Sequence, residues 1–314
     1  MSNHFPRWWR APAAAVAIAC LAVLGISAPA LATPASPAAT AAHVGTAPPG
    51  VRFTGNTSLI HVSTFHGPRT HLPRSVRTIG RNSRNITLVQ SRNWSGYADQ
   101  ACSTCALRFV NASFSAPSIN CTGVTTVNET DASFWAGLDG FTSSTVEQTG
   151  VLATCDTTTP EYFVWYEMLP NPPVFFTITG FGPGDAVNTQ IFFNAATNHY
   201  QIGLTDITQN VGFATSQLCP SGSTCKNSSA EIISEAPFDT TTSSFAPLAD
   251  FGQVFYQGAT VTSRNGTHGN LGDEPLWNSF NIAMVNGSHL LASAGPLSNL
   301  GVDSAFTDTW HAST

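Results

Sequence analysis

The stretch Ser133-Phe-Trp-Ala-Gly-Leu-Asp-Gly140 reads as a strand, and strand alternation puts Trp135, Gly137 and Asp139 on one face and Phe134, Ala136 and Leu138 on the other. The second face is core. The first offers a flat aromatic ring and a carboxylate, as the floor of a groove would. In Glu161-Tyr-Phe-Val-Trp-Tyr-Glu-Met168 the residues Phe163, Trp165 and Glu167 share a face, and in Ala230-Glu-Ile-Ile-Ser-Glu-Ala-Pro237 so do Glu231, Ile233 and Glu235. Glu167 and Glu235 therefore stand in or beside apolar strands, where an ionised carboxylate is costly unless it is paired or hydrogen-bonded. Each reads as a catalytic group or as a buried structural acceptor. Gln148, in Thr145-Val-Glu-Gln-Thr-Gly150, reads on its own as polarity at a strand end. Two carboxylates and an amide on neighbouring sheet faces suit proteolysis in acid. They equally suit a glycoside hydrolase, which needs two carboxyl groups at a defined separation across a sugar, with Trp135 and Trp165 as stacking platforms. A lectin-like domain that binds carbohydrate without reacting is the third reading.

Other chemistries lack their residues. There is no GxSxG elbow, no HExxH pair and no Gly-rich phosphate loop followed by Lys. His199, His268, His289 and His311 have no recognisable nucleophile beside them and read as surface or loop residues. Cys102-Ser-Thr-Cys105 has the spacing of a redox or metal pair, but no second such pair and no nearby His completes a zinc site. Beyond residue 32 the cysteines number six, at Cys102, Cys105, Cys121, Cys155, Cys219 and Cys225, and an even number in an exported chain favours disulfides. Cys219 and Cys225, flanking a short loop with Pro220 and Gly222, are expected to pair. Neither a metal nor another cofactor is expected.

The elements that must position these residues are short strands. Thr, Ser, Val and Phe alternate in pieces broken by Gly, Pro and Asn, with no helical period of useful length. Examples are Ala106 to Phe114, Asn188 to Phe193 and Gln201 to Ile207. Such a texture predicts an all-β domain, a two-sheet antiparallel β-sandwich of concanavalin or lectin type, with a barrel as the alternative. Residues 93–314 are assigned to that domain, long enough for a large single core.

Upstream, residues 1–32 read as a signal peptide: Arg7 and Arg10, an apolar run from Ala11 to Ile26, then Ala30-Leu31-Ala32. A secreted protein without a membrane anchor is expected, and a monomer. Residues 33–92 read as a basic propeptide or linker lacking sustained periodicity. Charge divides the chain at the same place. All eighteen carboxylates lie at or beyond Asp99, while residues 33–92 hold seven Arg, four His and no carboxylate. From Asn93 onward only Arg108, Lys226 and Arg264 oppose the eighteen acids, which makes a poor nucleic-acid binder. Opposite charge draws the two parts together at neutral pH, and protonation of the carboxylates releases them. An acid-triggered zymogen can be built that way, with the chain's own basic segment as its partner in cis.

Five motifs in order resemble the glutamic peptidases, or eqolisins: Asn93-Trp-Ser-Gly-Tyr97, Phe134-Trp-Ala-Gly-Leu-Asp-Gly140, Glu147-Gln-Thr-Gly150, Trp165-Tyr-Glu-Met-Leu-Pro170 and Ala230-Glu-Ile-Ile-Ser-Glu235. The resemblance spans about Asn93 to the C-terminus. It implies a sandwich of two seven-stranded antiparallel sheets, made as a secreted precursor and active in acid on proteins or peptides, without a covalent intermediate. It also implies a catalytic Gln and Glu at Gln148 and Glu235, with supporting groove residues at Trp135, Asp139 and Glu167. Two positions depart from the fungal pattern. An acidic residue ahead of the Trp-Tyr-Glu motif is Phe163 here, and the Asp after the catalytic Glu is replaced by Ala236-Pro237. Glu235 is then expected to act as general base on a water, with the Gln148 amide stabilising the oxyanion.

Overall fold

In the computed structural model, residues 47–314 are described except 64, 66–68, 72–75, 102–104, 127, 274–275 and 300–303. The expected signal peptide, residues 1–32, and Cys102 lie outside the described residues. Among the described residues five strands precede residue 93: β1 (Val51–Gly55), β2 (Ile60–Val62), β3 (Arg69–Thr70), β4 (Val76–Arg81) and β5 (Thr87–Ser91). Six more follow: β6 (Trp94–Gln100), β7 (Leu107–Ser115), β8 (Thr130–Leu138), β9 (Glu147–Cys155), β10 (Glu161–Met168) and β11 (Val174–Ile178). Then come β12 (Ala186–Asn194), β13 (His199–Asp206), β14 (Val211–Leu218), β15 (Ser229–Glu235), β16 (Phe238–Asp239) and β17 (Ser244–Phe245). The chain closes with β18 (Gln253–Ser263), β19 (His268–Asn270), β20 (Asn278–Asn286), β21 (His289–Ala294), β22 (Ser298–Asn299) and β23 (Ser304–Trp310). No helix occurs among the described residues.

The all-β expectation stands, but the two-sheet, seven-stranded lectin-like sandwich does not. Twenty strands are hydrogen-bonded into one continuous ladder, and β3, β16 and β17 form a small sheet of their own. The main path runs β1, β14, β13, β12, β7, β18, β23, β21, β20, β6, β15, β8, β9, β10, β11, β2, a nearly closed barrel of sixteen strands. The cause is β21. It pairs with β20 through Ala283↔Ser293 and with β23 through Ser293↔Thr309, and so joins what would otherwise be two sheets. The end strands β1 and β2 do not pair with each other, and four residues, Asn56 to Leu59, connect them. Opposite walls pack through the interior, β7, β12 and β13 against β8 and β9.

Side-chain alternation produces the core. In β12 the inward Val187, Thr189, Ile191 and Phe193 are buried while their neighbours are not. Phe114, Phe134, Phe176, Phe213, Tyr256 and Phe306 meet these residues in the main apolar cluster. Each such aromatic contributes roughly 1.5–3 kcal/mol on burial. In β8 and β9 every residue is buried, because both faces are covered. Phe134, Ala136 and Leu138 face the main cluster, and Trp135 belongs to a second cluster on the other side with Val89, Trp94, Phe163, Trp165, Phe175 and Ile233. Cys121 is bonded to Cys155 and Cys219 to Cys225, and Cys105 is also disulfide-bonded. No helix among the described residues is long and apolar enough to cross a membrane.

Candidate functional site

The second cluster carries the polar group of interest. Glu235 ends β15, where it lies opposite Trp94 of β6 and Ser133 of β8. Trp135 faces Ile233, two residues back on β15, so its ring lies diagonally beside Glu235 on the same face. Its indole Nε1–H donates to Glu235 Oε2 at 2.8 Å, and Asn93 Nδ2 donates to Glu235 Oε1 at 3.1 Å. Asn93 is held in the turn between β5 and β6, where the Ser91 hydroxyl donates to its Oδ1 and its carbonyl accepts from Ala236 N. Trp94, next in the chain, packs edge-on against Trp135 at 5.0 Å.

Gln148 and Glu167 meet directly across the β9–β10 pair. The Gln148 amide donates from Nε2 to Glu167 Oε2 at 2.8 Å, and its own Oε1 is buried without a hydrogen-bond partner. Two glycines make this crowding possible. A Cβ on Gly150, which lies between Trp135 and Trp165 on the adjoining strands, would come within 2.2 Å of the Phe134 carbonyl and 2.6 Å of Trp135 Cβ. A Cβ on Gly137, opposite Gln148, would meet the Trp135 ring at 2.9 Å.

A segment from upstream of residue 92 enters the same place. Its strand β3 pairs antiparallel with β16, Thr70 against Phe238, directly after the Ala236-Pro237 exit from β15. The Thr70 hydroxyl donates to Glu167 Oε1 at 2.7 Å. His71, fully buried, places Nδ1 2.7 Å from Glu235 Oε2 and stacks its ring on Trp165, centroids 3.9 Å apart and planes within 10°. Phe65 lies farther along, stacked on Phe163 at 4.5 Å and edge-on to Phe175 at 5.1 Å.

Burial and charge set the protonation states. Desolvation raises the Glu167 carboxyl to about 7, against the downward pull of the His71 charge and the Thr70 hydroxyl and with a further push from Glu235. For His71, burial alone would lower the imidazole. The Glu235 carboxylate, by charge and by hydrogen bond, outweighs that with help from Glu167, and the net shift is upward from 6.5.

Four of the five residues singled out in the sequence, Trp135, Gln148, Glu167 and Glu235, come together here. Asp139 does not join them. It sits past the end of β8, about 13 Å along the strand from Trp135, with a left-handed backbone (φ 68°). Its carboxylate accepts from Asn227 N at 2.6 Å, Ser228 N at 2.8 Å and the Ser228 hydroxyl at 2.8 Å. Its neighbour Glu147, buried and close to Asp139 and Glu231, has its carboxyl raised well above the usual range, chiefly by desolvation. Asn93, Thr70 and His71 were not picked out from the sequence. Asn93 opens the motif Asn93-Trp-Ser-Gly-Tyr97, but Thr70 and His71 lie in a stretch with no period to mark them.

Residues 92–299 match the model of the Peptidase A4 family. The fold is similar to that of scytalido-glutamic peptidase solved with a transition state analog inhibitor. There the TM-score is 0.57 at 19% identity, over 76% of this chain and 100% of that one. It is also similar to SCP-B, a member of the eqolisin family of peptidases solved with the tripeptide Ala-Ile-His, with a TM-score of 0.53 at 20% identity over 76% and 100% of the two chains. No curated protein sequence matches the chain.

Proposed function

This chain belongs to the Peptidase A4 family, the glutamic peptidases, and from that premise we propose that Glu235 and Gln148 are the pair with which it cleaves peptide bonds. The activity is that of an acid endopeptidase. One observation carries the assignment: Glu235 is oriented by two permanent donors, Trp135 and Asn93, while its remaining contact comes from His71, a residue of the upstream segment. With that segment gone, a water takes the imidazole's place on Oε2. Ionised Glu235 accepts its proton as the oxygen attacks the scissile carbonyl carbon. Gln148 has two amide hydrogens. One is held by Glu167, and the other donates to the oxyanion as it forms. The C–N bond then breaks as the proton on Glu235 passes to the leaving amine, and the carboxylate is restored. Glu167, largely protonated in acid, fixes the amide and takes no proton from the reaction.

The upstream segment is read as an inhibitory propeptide in cis. Its support is that Thr70 and His71 take hydrogen-bonding positions on Glu167 and Glu235 that a water and a substrate would need. Export of the precursor follows from the leader-like residues 1–32 and agrees with family membership. The deciding experiment is hydrolysis of denatured haemoglobin or casein between pH 2 and 7, with and without acid preincubation. Wild type is expected to become active after acid treatment. The folded Glu235→Gln protein is expected to show no turnover, and Gln148→Ala a loss of about 10²–10³ in kcat. Full activity in Glu235→Gln would sink the assignment.

A further inference from the structure

We propose that the apolar surface made by Phe163 and Phe175 is a substrate subsite for an aromatic or large aliphatic side chain, and that Phe163 sets this preference. The inference rests on the Glu235–Gln148 reading only for the position of the scissile bond. Phe163, Trp165 and Glu167 alternate along one face of β10, so successive side chains stand about 7 Å apart in a row leading away from the dyad. Glu167 touches Gln148 and Trp165 carries the His71 ring. Phe163 is the next step outward, and Phe175 on the paired strand β11 closes the corner beside it.

In the precursor this corner is filled. Phe65 lies with its ring plane 22° from that of Phe163 and nearly perpendicular to Phe175. The same segment places Thr70 and His71 at the carboxylates, so one stretch of chain fills the outer corner and the catalytic centre together. When it leaves, both rings lose the Phe65 contact. Phe163 and Phe175 are buried, with Phe65 packed against them in the second cluster. The structure thus supplies the chemistry of the missing occupant, a planar or bulky apolar side chain. The upstream segment brings Phe65 here from six residues before His71. On an extended substrate the roughly 7 Å spacing along β10 corresponds to a side chain about two residues from the one seated over Trp165. An offset-stacked partner on one ring and an edge contact on the other is the arrangement aromatic pairs favour.

The test uses acid-processed enzyme and a set of internally quenched peptides in which each position around the cleaved bond is varied in turn. One position is expected to favour Phe, Tyr or Leu over Ala by about 10- to 100-fold in kcat/KM. In Phe163→Ala that ratio is expected to fall below about threefold. Phe163→Tyr is expected to keep it, and Phe163→Glu to turn the same position toward Lys and Arg. A purely structural Phe163 would move none of these ratios. Melting curves of each variant identify any that fail to fold, and Phe175→Leu provides a milder second probe of the same corner. A flat profile at every position, or a preference unchanged in both Phe163→Ala and Phe163→Glu, overturns the proposal. Cleavage by Glu235→Gln would instead overturn the dyad, whatever the subsite profile.

Discussion

Trp135 and Asp139 share a strand face in the sequence, yet the structure gives them different work. Trp135 aims its indole N–H at Glu235, whereas Asp139 spends its carboxylate on the backbone leading into β15. Trp135→Phe keeps a ring against Trp94 and deletes a hydrogen bond to a charged acceptor, an interaction of about 1.5–3 kcal/mol. Its kcat/KM is expected to drop about 10- to 100-fold, read on a quenched peptide. Asp139→Asn removes the charge that two backbone N–H groups and a hydroxyl serve. A loss of roughly 1–3 kcal/mol in chemical denaturation is expected, with kcat/KM close to wild type. His71 offers the third contrast. Because its imidazole is raised above 6.5, lowering the pH leaves it charged. Acid therefore loosens its hold from the carboxylate side, through Glu167 on β10, whose carboxyl is raised to about 7. His71→Phe should preserve the stacking on Trp165 but lose the bond to Glu235, and full-length protein carrying it is expected to cleave peptide at pH 6 without acid pretreatment. Latency equal to wild type would contradict the inhibitory role assigned to this residue.

Strand faces in β8, β10 and β15 were legible in the sequence because alternation there separates core from site, and Trp135, Trp165, Glu167 and Glu235 follow from it. Gln148 needed the family motif, since an amide before Thr-Gly carries no periodic signal. Two features lay beyond reach for a common reason: short strands with mixed polarity. The strand β21, six residues that end in Ala-Ser-Ala, gives no sign that it bridges two sheets. The strand β5 sits in a stretch read as propeptide or linker, yet it pairs in parallel with β20 from Thr87 to Ser91 and buries Val89 in the cluster around Trp94 and Trp135. Its partner β4 pairs with it in turn. The small sheet of β3, β16 and β17 is separate from that ladder and is held to it by no strand pairing. Release of Thr70 and His71 therefore needs only β3 to detach, while removal of β5 would strip a strand that pairs with both β20 and β4. After acid processing, the mature N-terminus is expected upstream of Val76, by N-terminal sequencing. A product beginning at Asn93 would show instead that β4 and β5 are expendable.

Across the whole molecule the buried carboxyl groups set a sign for stability against pH. Burial raises Glu167 and Asp308 each to about 7 from ordinary values of 4.5 and 3.8, and Glu147 well above its own. Asp308 is only partly compensated: the Ser95 hydroxyl donates to its Oδ1 at 2.7 Å, and its Oδ2 is buried without a hydrogen-bond partner. Between the two values of each group the folded state holds a proton that the unfolded state has released. Stability therefore falls as pH rises through this window, from below about 4 to above about 7. Each of the first two groups contributes on the order of 3 kcal/mol over the full window. For a domain of this size each kcal/mol moves the melting temperature by about 2–4 °C. Repulsion among eighteen acidic residues opposed by three basic ones beyond residue 92 acts in the same direction. Melting measured on Gln148→Ala, which keeps all these carboxyls while slowing self-digestion, is expected to fall by at least about 10 °C between pH 4 and pH 7.5. Asp308→Asn cannot ionise, so its curve should be flatter, with its advantage over the parent growing toward neutral pH. Parallel curves for the two proteins would mean that Asp308 stays charged in the fold and that its burial is fully offset by Ser95 and the Thr309 amide.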